Sequence, residues 1–454
     1  MGKMELSVLE TGAVPGVKRL QTAAFQRALD EAWLAGGGVV SVPAGRYWIG
    51  GIRLRSNTTL HLLWGAELYG SRNPEDYDIL KEDTLEPLPD AYKTDRLFQS
   101  AEIGGTGDFT FMLPGSRWNN AIIRAVDAVN VAVIGEIGSI LDGQNCFDEL
   151  GEEHYRGPHG IGFDNCRNVL LSGVLMQNTG NWAVRMTGCK NIVCESLTAL
   201  AGHDGVHFTR CENITVRGCR FLTGDDCIAG FANTNVTVSS CEINTACSAF
   251  RFGGTNVLVR DCHIWGPAEY LFRGGLTDEE KRSGAIPKIT EPYQMLSVFT
   301  YYGDYSSDIP EQPGNIVIRD CVIENVTRFL QYNYSGNERW QSNRPLESLT
   351  FEHIKASGIS LPLTAYGSPD LPLSLTLRDV EVSFAPEARK QAFVHAANFD
   401  TVRLERVRTD TAAGYPLVKR WTQSGEVILR DVTCKTSPEI QVVYTEEPFF
   451  CKPI

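Results

Sequence analysis

The chain has 454 residues, of which 43% are hydrophobic and 21% charged, a balance typical of folded globular proteins and not of disordered chains. Its 55 acidic and 42 basic residues give a net charge of −13, which argues against general nucleic-acid binding, because neutralising phosphates requires a basic face. No apolar run approaches the roughly 20 residues of a membrane-spanning helix. We therefore expect neither a nucleic-acid nor a membrane partner, and the sequence leaves the oligomeric state open.

The N-terminal segment 17–35 is predicted to be a helix. Apolar residues recur at helical spacing from Leu20 to Trp33, and Gly36-Gly-Gly38 then ends the pattern. An amphipathic helix at this place would cover the open end of the repeat structure that follows.

A repeat of about 22 residues runs through most of the chain. Cys166-Arg-Asn-Val, Cys189-Lys-Asn-Ile and Cys211-Glu-Asn-Ile begin three successive copies, spaced by 23 and 22 residues. Each copy holds three short apolar segments without helical periodicity, which is typical of a right-handed parallel β-helix. Further copies begin near residues 57, 130, 235, 256, 315, 349, 375, 402 and 427. We predict an all-β fold in which residues 1–454 form one domain, with the coils over 36–454.

An asparagine stands at the start of many copies, and we assign it to the scaffold. Asparagine tolerates the left-handed backbone conformation that a sharp coil corner requires. Stacked asparagine side chains can also hydrogen-bond to one another along the axis of the coils.

Three aspartates are one repeat apart. Asp204 precedes Asp225 and Asp226 by 21 and 22 residues, and glycines flank both sites. Because adjacent coils are about 4.8 Å apart, we expect the three carboxylates to share one small surface. Crowding raises the pKa of at least one carboxyl group, and a proton donor beside a proton acceptor is what glycoside hydrolysis requires. There are two structural alternatives: each aspartate is an ordinary turn residue, or the aspartates bind calcium.

A second column of residues follows the same lattice. Arg185, His207, Arg251 and Arg273 are spaced by 22 residues or by twice that number. Arginine binds carboxylate or sulfate groups bidentately, so this basic strip favours an anionic sugar. The alternatives are that these side chains are solvated, that they pair with the aspartates, or that Arg273 leaves the column because one coil is a residue short.

Two long departures from the repeat, at about 274–314 and 332–345, are predicted to be insertions. They contain Tyr301, Tyr302, Tyr305 and Trp340. Insertions in a solenoid project from one side and often border a binding cleft, although ordinary surface loops are an equal alternative.

The cysteines bear on the cellular compartment. There are 13, an odd number, and most fall in strand-like segments, so we expect reduced thiols acting as small buried hydrophobes. No Cys-x-x-Cys spacing for structural zinc occurs. The first ten residues also lack the apolar core of a secretory signal, so we expect a cytoplasmic protein, or a secreted one if the chain was trimmed.

With these residues described, the chain resembles glycoside hydrolase family 28, the polygalacturonase-like β-helix enzymes, up to about residue 330. Gly224-Asp-Asp-Cys-Ile-Ala229 is similar to the family's catalytic Gly-Asp-Asp, and His203-Asp204-Gly205 stands where the family has Asn-Thr-Asp-Gly. The resemblance implies an inverting hydrolase in which Asp225 is the general acid and Asp204 and Asp226 activate water. It implies no metal and no organic cofactor.

The departures from the family pattern concern the substrate. Ala246-Cys-Ser248 replaces the family's Gly-His-Gly, so Cys247 stands in place of a histidine, and Leu271-Phe-Arg273 is the nearest match to Arg-Ile-Lys. We therefore expect a pectin-type or related acidic glycan as substrate, with exo-action. Our candidates for substrate contacts are His203, His207, Arg251, Arg273, Trp182, Arg185, Tyr270 and Glu269.

Two other functions remain open on sequence grounds. A polysaccharide lyase can use the same scaffold, although it commonly needs calcium and a basic residue near the uronate. A β-helix that only binds carbohydrate would need no clustered acids, and loss of the family histidine is compatible with this.

Overall fold

The computed structural model describes residues 4–77, 117–289, 294–303, 312–334, 344–436 and 439–445. They fall into two units, residues 1–225 with 270–288 and residues 226–269 with 289–454. In both units short strands pair in parallel with strands of neighbouring coils. The predicted fold class, a right-handed parallel β-helix with an N-terminal helix, is confirmed. That residues 1–454 form one domain stays a prediction.

The N-terminal helix spans Thr22–Leu34, shorter than the predicted 17–35. It buries Phe25, Ala28 and Leu29 and lies against the first strands of the coils, as a covering helix should. It ends before Gly36 and Gly37, whose φ values of 92° and 118° most residues cannot adopt without strain.

The first unit consists of three stacks of parallel strands. The first stack comprises Met4–Ser7, Gly38–Val42, Thr58–Leu62, Val129–Gly135, Arg167–Ser172, Lys190–Glu195 and Glu212–Arg217. The second comprises Gly45–Ile49, Ala66–Gly70, Ile140–Asp142, Leu175–Gln177, Thr198–Ala201 and Arg220–Thr223. The third comprises Ile52–Arg53, Ala121–Val126, His159–Asp164, Val184–Thr187 and Val206–Thr209.

The second unit continues the same pattern with longer strands, some of which serve two stacks. Its strands are Ile228–Ser239, Glu242–Thr245, Ser248–Arg260, His263–Trp265, Met295–Tyr301, Gly314–Arg319, Val322–Glu324, Val326–Asn333, Ser348–Ile359, Leu363–Tyr366, Leu373–Phe384, Val394–Ala397, Phe399–Glu405, Arg408–Thr409, Val418–Arg420, Glu426–Arg430, Thr433–Cys434 and Val442–Tyr444.

Helical segments outside the coils are short. A second α-helix spans Asp278–Ser283, and 3₁₀ turns occur at Pro74–Asp76, Arg117–Asn119, Glu152–His154, Arg273–Gly275 and Pro386–Ala388. Among the described residues, no helix is both long and apolar enough to cross a lipid bilayer.

The asparagine ladder predicted from the repeat is confirmed. In the first unit Asn57, Asn130, Asn168, Asn191 and Asn213 all have φ between 56° and 61°, at the corner where each first-stack strand begins. From Asn130 onwards, the amide of each of the other four donates to the asparagine of the preceding coil, over 2.8–3.0 Å. The side chain therefore both permits the corner and links consecutive coils.

The predicted insertions are partly wrong. Tyr301 belongs to the strand Met295–Tyr301, which pairs with Ser248–Arg260 and is an ordinary coil strand. Tyr301 and Tyr332 are fully buried and pack edge to face, with ring centroids 5.1 Å apart. They are core residues and do not border a cleft. Tyr305 and Trp340 lie outside the described residues.

None of the cysteines in the described part of the chain forms a disulfide bond, as expected for reduced thiols. All of them are buried except Cys247 and Cys434, which are half-buried. Most therefore fill the interior of the coils as small apolar side chains.

Candidate functional site

Two of the predicted carboxylates lie in corresponding turns of neighbouring coils. Ala201 is in register with Thr223, at the ends of two paired second-stack strands. Asp204 and Asp225 follow these strands within three residues, as the repeat predicts. The side chain of Asp225 is 21% exposed and that of Asp204 only 3%. Asp225 is thus the carboxylate that a large molecule can reach.

The glycines before both aspartates are required by a close backbone approach. A Cβ atom on Gly202 would lie 2.7 Å from Cβ of Arg273, and one on Gly224 would lie 2.2 Å from the carbonyl oxygen of Leu271. Residues 271–273 therefore pack directly onto the two turns. A larger residue at either glycine would displace this segment and the turn.

Asp204 is held by an imidazole. Nδ1 of His207 lies 2.8 Å from a carboxylate oxygen of Asp204, and the side chain of His207 is 4% exposed. The ring of His207 stacks on Trp182 with centroids 3.8 Å apart and planes within 3° of parallel. Trp182 in turn packs edge-on against Trp118. His207 and Trp182 were predicted to contact substrate, but both are largely buried and His207 is engaged with Asp204.

Asp225 faces an arginine that comes from a strained turn. Nη2 of Arg156 lies 3.9 Å from Asp225, while Nε lies 3.1 Å from Glu153 and 3.4 Å from Glu152. Burial alone would lower the pKa of Arg156, but attraction by Glu152, Asp225 and Glu153 outweighs it and raises the pKa. Glu153 and His154 both adopt left-handed conformations, with φ of 54° and 61°, a strain that commonly accompanies functional sites.

Asp226, the next residue in the chain, begins the second unit. One carboxylate oxygen accepts the backbone N–H of Ser248 at 3.1 Å, and the other accepts Nη1 of Arg251 at 3.3 Å. Its side chain is fully buried, whereas that of Arg251 is 29% exposed and its guanidinium lies 4.4 Å from the ring centre of Tyr302. The exposed part of the Arg251 guanidinium is therefore accessible to an anionic ligand.

Cys247 stands where the family has a histidine. It is half-buried, and its sulfur lies within 4.8 Å of a carboxylate oxygen of Asp226.

His203 is enclosed by aromatic rings. It is fully buried, with ring centroids 5.9 Å from Tyr155 and 5.6 Å from Phe272. Within the described part of the chain, neither ring nitrogen has a hydrogen-bond partner. Burial, and then the charges of Arg156 and Arg273, hold the pKa of His203 well below its usual value. The ring is therefore neutral and offers no charge to an anionic sugar.

The predicted basic strip is only partly confirmed. Arg185 is in register with His207, as the lattice predicts, but its side chain is 3% exposed and its guanidinium binds Asp164 through two contacts of 3.0 Å. In the second unit the neighbour of Arg251 on the following coil is Thr300. The predictions that Arg185 contacts substrate and that Arg273 extends the column are therefore wrong.

Arg273 instead has a structural role and links separate segments of the chain. It is completely buried in a 3₁₀ turn, because the segment after the short coil leaves the repeat. Its guanidinium donates to backbone carbonyls of Asn145, Cys146, Gly180 and Lys281. It joins these segments and has no free face for a ligand.

The two remaining candidates lie in different units. The hydroxyl of Tyr270 donates to Asn178 at 3.2 Å in the first unit, and burial raises its pKa to about 12. Glu269 in the second unit is exposed and accepts a hydrogen bond from Trp265 at 3.1 Å. Their contacts with substrate stay predictions.

Comparisons with known proteins show that the segment holding these aspartates is similar to a known family. The model for glycosyl hydrolases family 28 matches residues 94–248, the segment that holds all three aspartates. The resemblance to glycoside hydrolase family 28 is confirmed. A probable polygalacturonase of Vitis vinifera is 27% identical over 202 residues, 43% of this chain and 36% of the relative. An exo-poly-alpha-D-galacturonosidase of Dickeya chrysanthemi is 30% identical over 183 residues, 38% of this chain and 25% of the relative.

The chain thus spans about a third or less of the length of these curated relatives. Among solved structures, an exopolygalacturonase from Thermotoga maritima matches with a TM-score of 0.66 and 17% identity, covering 90% of this chain and 92% of its own. At that identity the likeness establishes the fold alone.

Sequence reasoning missed Arg156, which lies inside the segment matched by family 28. Arg156 falls outside the 22-residue lattice, because it belongs to a loop between the strands Ile140–Asp142 and His159–Asp164. Its contact with Asp225 depends on the left-handed turn at Glu153 and His154, and no composition signal marks that turn.

Proposed function

We propose that this protein is an inverting glycoside hydrolase that cleaves a pectin-type or related acidic oligosaccharide. The observation that carries the proposal is the position of Asp204 and Asp225 in corresponding turns of neighbouring coils, inside the segment that matches family 28. A fold alone would not support an activity, because one scaffold serves many functions.

The different exposures of the carboxylates suit different roles. Asp225, at 21% exposure, would donate a proton to the glycosidic oxygen of the leaving group. Asp204 and Asp226 are each almost fully buried, which suits the water-activating role that the resemblance implies for them, because water needs far less room than a sugar. Attack by that water on the opposite face of the ring from the leaving group inverts the anomeric centre.

An acidic substrate is supported chiefly by Arg251. Since Arg185 and Arg273 are committed to protein contacts, the exposed part of the Arg251 guanidinium is the group best suited to a sugar carboxylate. Exo-action is supported by the name of the Dickeya chrysanthemi relative, an exo-galacturonosidase.

The test is a product profile combined with one substitution. The protein is incubated with a panel of pectic and other acidic oligosaccharides, and the anomer formed first is identified by NMR. Asp225→Asn should lower kcat by at least about 10²-fold, because general acid catalysis contributes 10²- to 10⁴-fold, without changing the circular dichroism spectrum. The matched control is Asp320→Asn, at an exposed coil corner of the second unit, which should leave turnover unchanged.

Three results would contradict the proposal in different ways. Unsaturated, ultraviolet-absorbing products would identify a lyase. Retention of the anomeric configuration would exclude the water-activating role. Binding of oligosaccharide without any turnover would identify a carbohydrate-binding protein.

A further inference from the structure

The imidazole of His207 lies against Asp204 and is almost fully buried. The Nδ1–carboxylate distance is 2.8 Å, and both side chains are at most 4% exposed. A carboxylate can only accept a hydrogen bond, so this contact requires the proton of the ring to reside on Nδ1. Such a charge-assisted bond fixes the orientation of the Asp204 carboxylate.

The orientation of this ring is restricted by residues of the preceding coils. Trp182 stacks on it in parallel at 3.8 Å, and Trp182 is itself held edge-on by Trp118 at 4.8 Å. On the preceding coil, Arg185 occupies the register position next to His207 and is anchored by Asp164. The imidazole therefore has little freedom to rotate away from Asp204.

We propose that His207 is a positioning residue that holds Asp204 for water activation, a role that rests on the proposed hydrolase function. His207 supplies its imidazole from the strand Val206–Thr209, which directly follows the turn of Asp204. This contact fixes the orientation of the Asp204 carboxylate, which accepts the proton of the attacking water.

Kinetics of three variants separate this role from substrate binding. His207→Phe keeps a ring beside Trp182 but removes the donor, and should lower kcat by about 10- to 100-fold with KM within threefold, since a hydrogen bond to a charged group contributes on that scale. His207→Asn retains a short donor and should recover part of the loss. In an Asp204→Asn background, His207→Phe should cause no further loss, because the two residues act as one unit.

The control is His353→Asn, which removes an exposed histidine that also contacts aspartates, in the second unit, and should leave kcat and KM unchanged. A KM increase above tenfold with unchanged kcat for His207→Phe would overturn the proposal and make His207 a substrate-binding residue. Unchanged kcat and KM would overturn it as well.

A measurement that needs no substrate separates this proposal from the function on which it rests. In ¹⁵N-labelled protein, the histidine ring spectrum should show His207 protonated at Nδ1, and Asp204→Asn should shift that signal. A ring protonated only at Nε2, or a signal unaffected by Asp204→Asn, would overturn the contact even if the enzyme is active. A wild-type protein that cleaves no glycan would overturn the positioning role together with the proposed function. The ring signal would then show whether the contact between Asp204 and His207 forms in solution.

Discussion

Replacing Arg273 by methionine tests whether this residue has a structural role or contacts the substrate. The guanidinium is completely buried, and burial lowers its pKa to about 10, so it stays protonated at neutral pH. Arg273→Met keeps most of the aliphatic stem but removes the bonds to four carbonyls. The carbonyls of Gly180 and Lys281 also accept backbone N–H groups at 3.1 and 3.0 Å and keep these bonds in the variant. The carbonyls of Asn145 and Cys146 lose the guanidinium as their hydrogen-bond donor.

An unsatisfied buried acceptor costs about 1–3 kcal/mol, and removing the buried charge recovers part of this cost, so we expect Arg273→Met to lower the free energy of unfolding by about 2–4 kcal/mol. Urea unfolding followed by tryptophan fluorescence measures the change. Arg282→Met, which removes an exposed arginine paired with an exposed Glu149, should change stability by less than about 0.5 kcal/mol. Unchanged stability of Arg273→Met together with a tenfold higher KM would refute this reasoning and restore Arg273 as a substrate contact.

Two further predictions concern the scaffold. Asn191→Gly should lower the free energy of unfolding by about 0.5–1.5 kcal/mol, because the ladder hydrogen bonds are lost. Asn191→Ala should lower it by about 1 kcal/mol more, because alanine must also adopt the left-handed φ of 56°. Equal losses for the two variants in urea unfolding would show that the corner is unstrained. Burial raises the pKa of the Cys146 thiol to about 12, so that its reactive thiolate is scarce at pH 8 and grows as the pH rises towards that value. Iodoacetamide should therefore label half-buried Cys434 but not Cys146 in the native protein, as read by peptide mass spectrometry, and rapid labelling of Cys146 would count against its burial.

The sequence predicted the coil architecture well, because the period of about 22 residues arises from patterns of residues close together in the chain. The left-handed asparagine of each corner and the apolar strand after it are properties of a few adjacent residues. The same period placed Asp204 and Asp225 in corresponding turns and Arg185 beside His207. It failed after residue 266, where an extra segment interrupts the coils, so that Tyr301 was assigned to an insertion although it lies in a core strand.

The functional assignment of individual side chains was less predictable. Lattice arithmetic identifies which residues are neighbours, but not which of them already has a partner. Arg185 pairs with Asp164, and Arg273 binds carbonyls far away in sequence, so neither is available to a ligand. Arg156 reaches Asp225 from a loop outside the lattice, and only the folded chain brings the two together.

The amino-acid sequence by itself determined the repeat, the corners and the order of the aspartates along the chain, since each depends on backbone preferences within one coil. Tertiary structure decided which charged side chains a ligand can reach, because burial and ion pairing depend on segments that are distant in sequence. The imidazole of His207 faces Asp204 because Trp182, on the preceding coil, stacks on it and restricts its rotation.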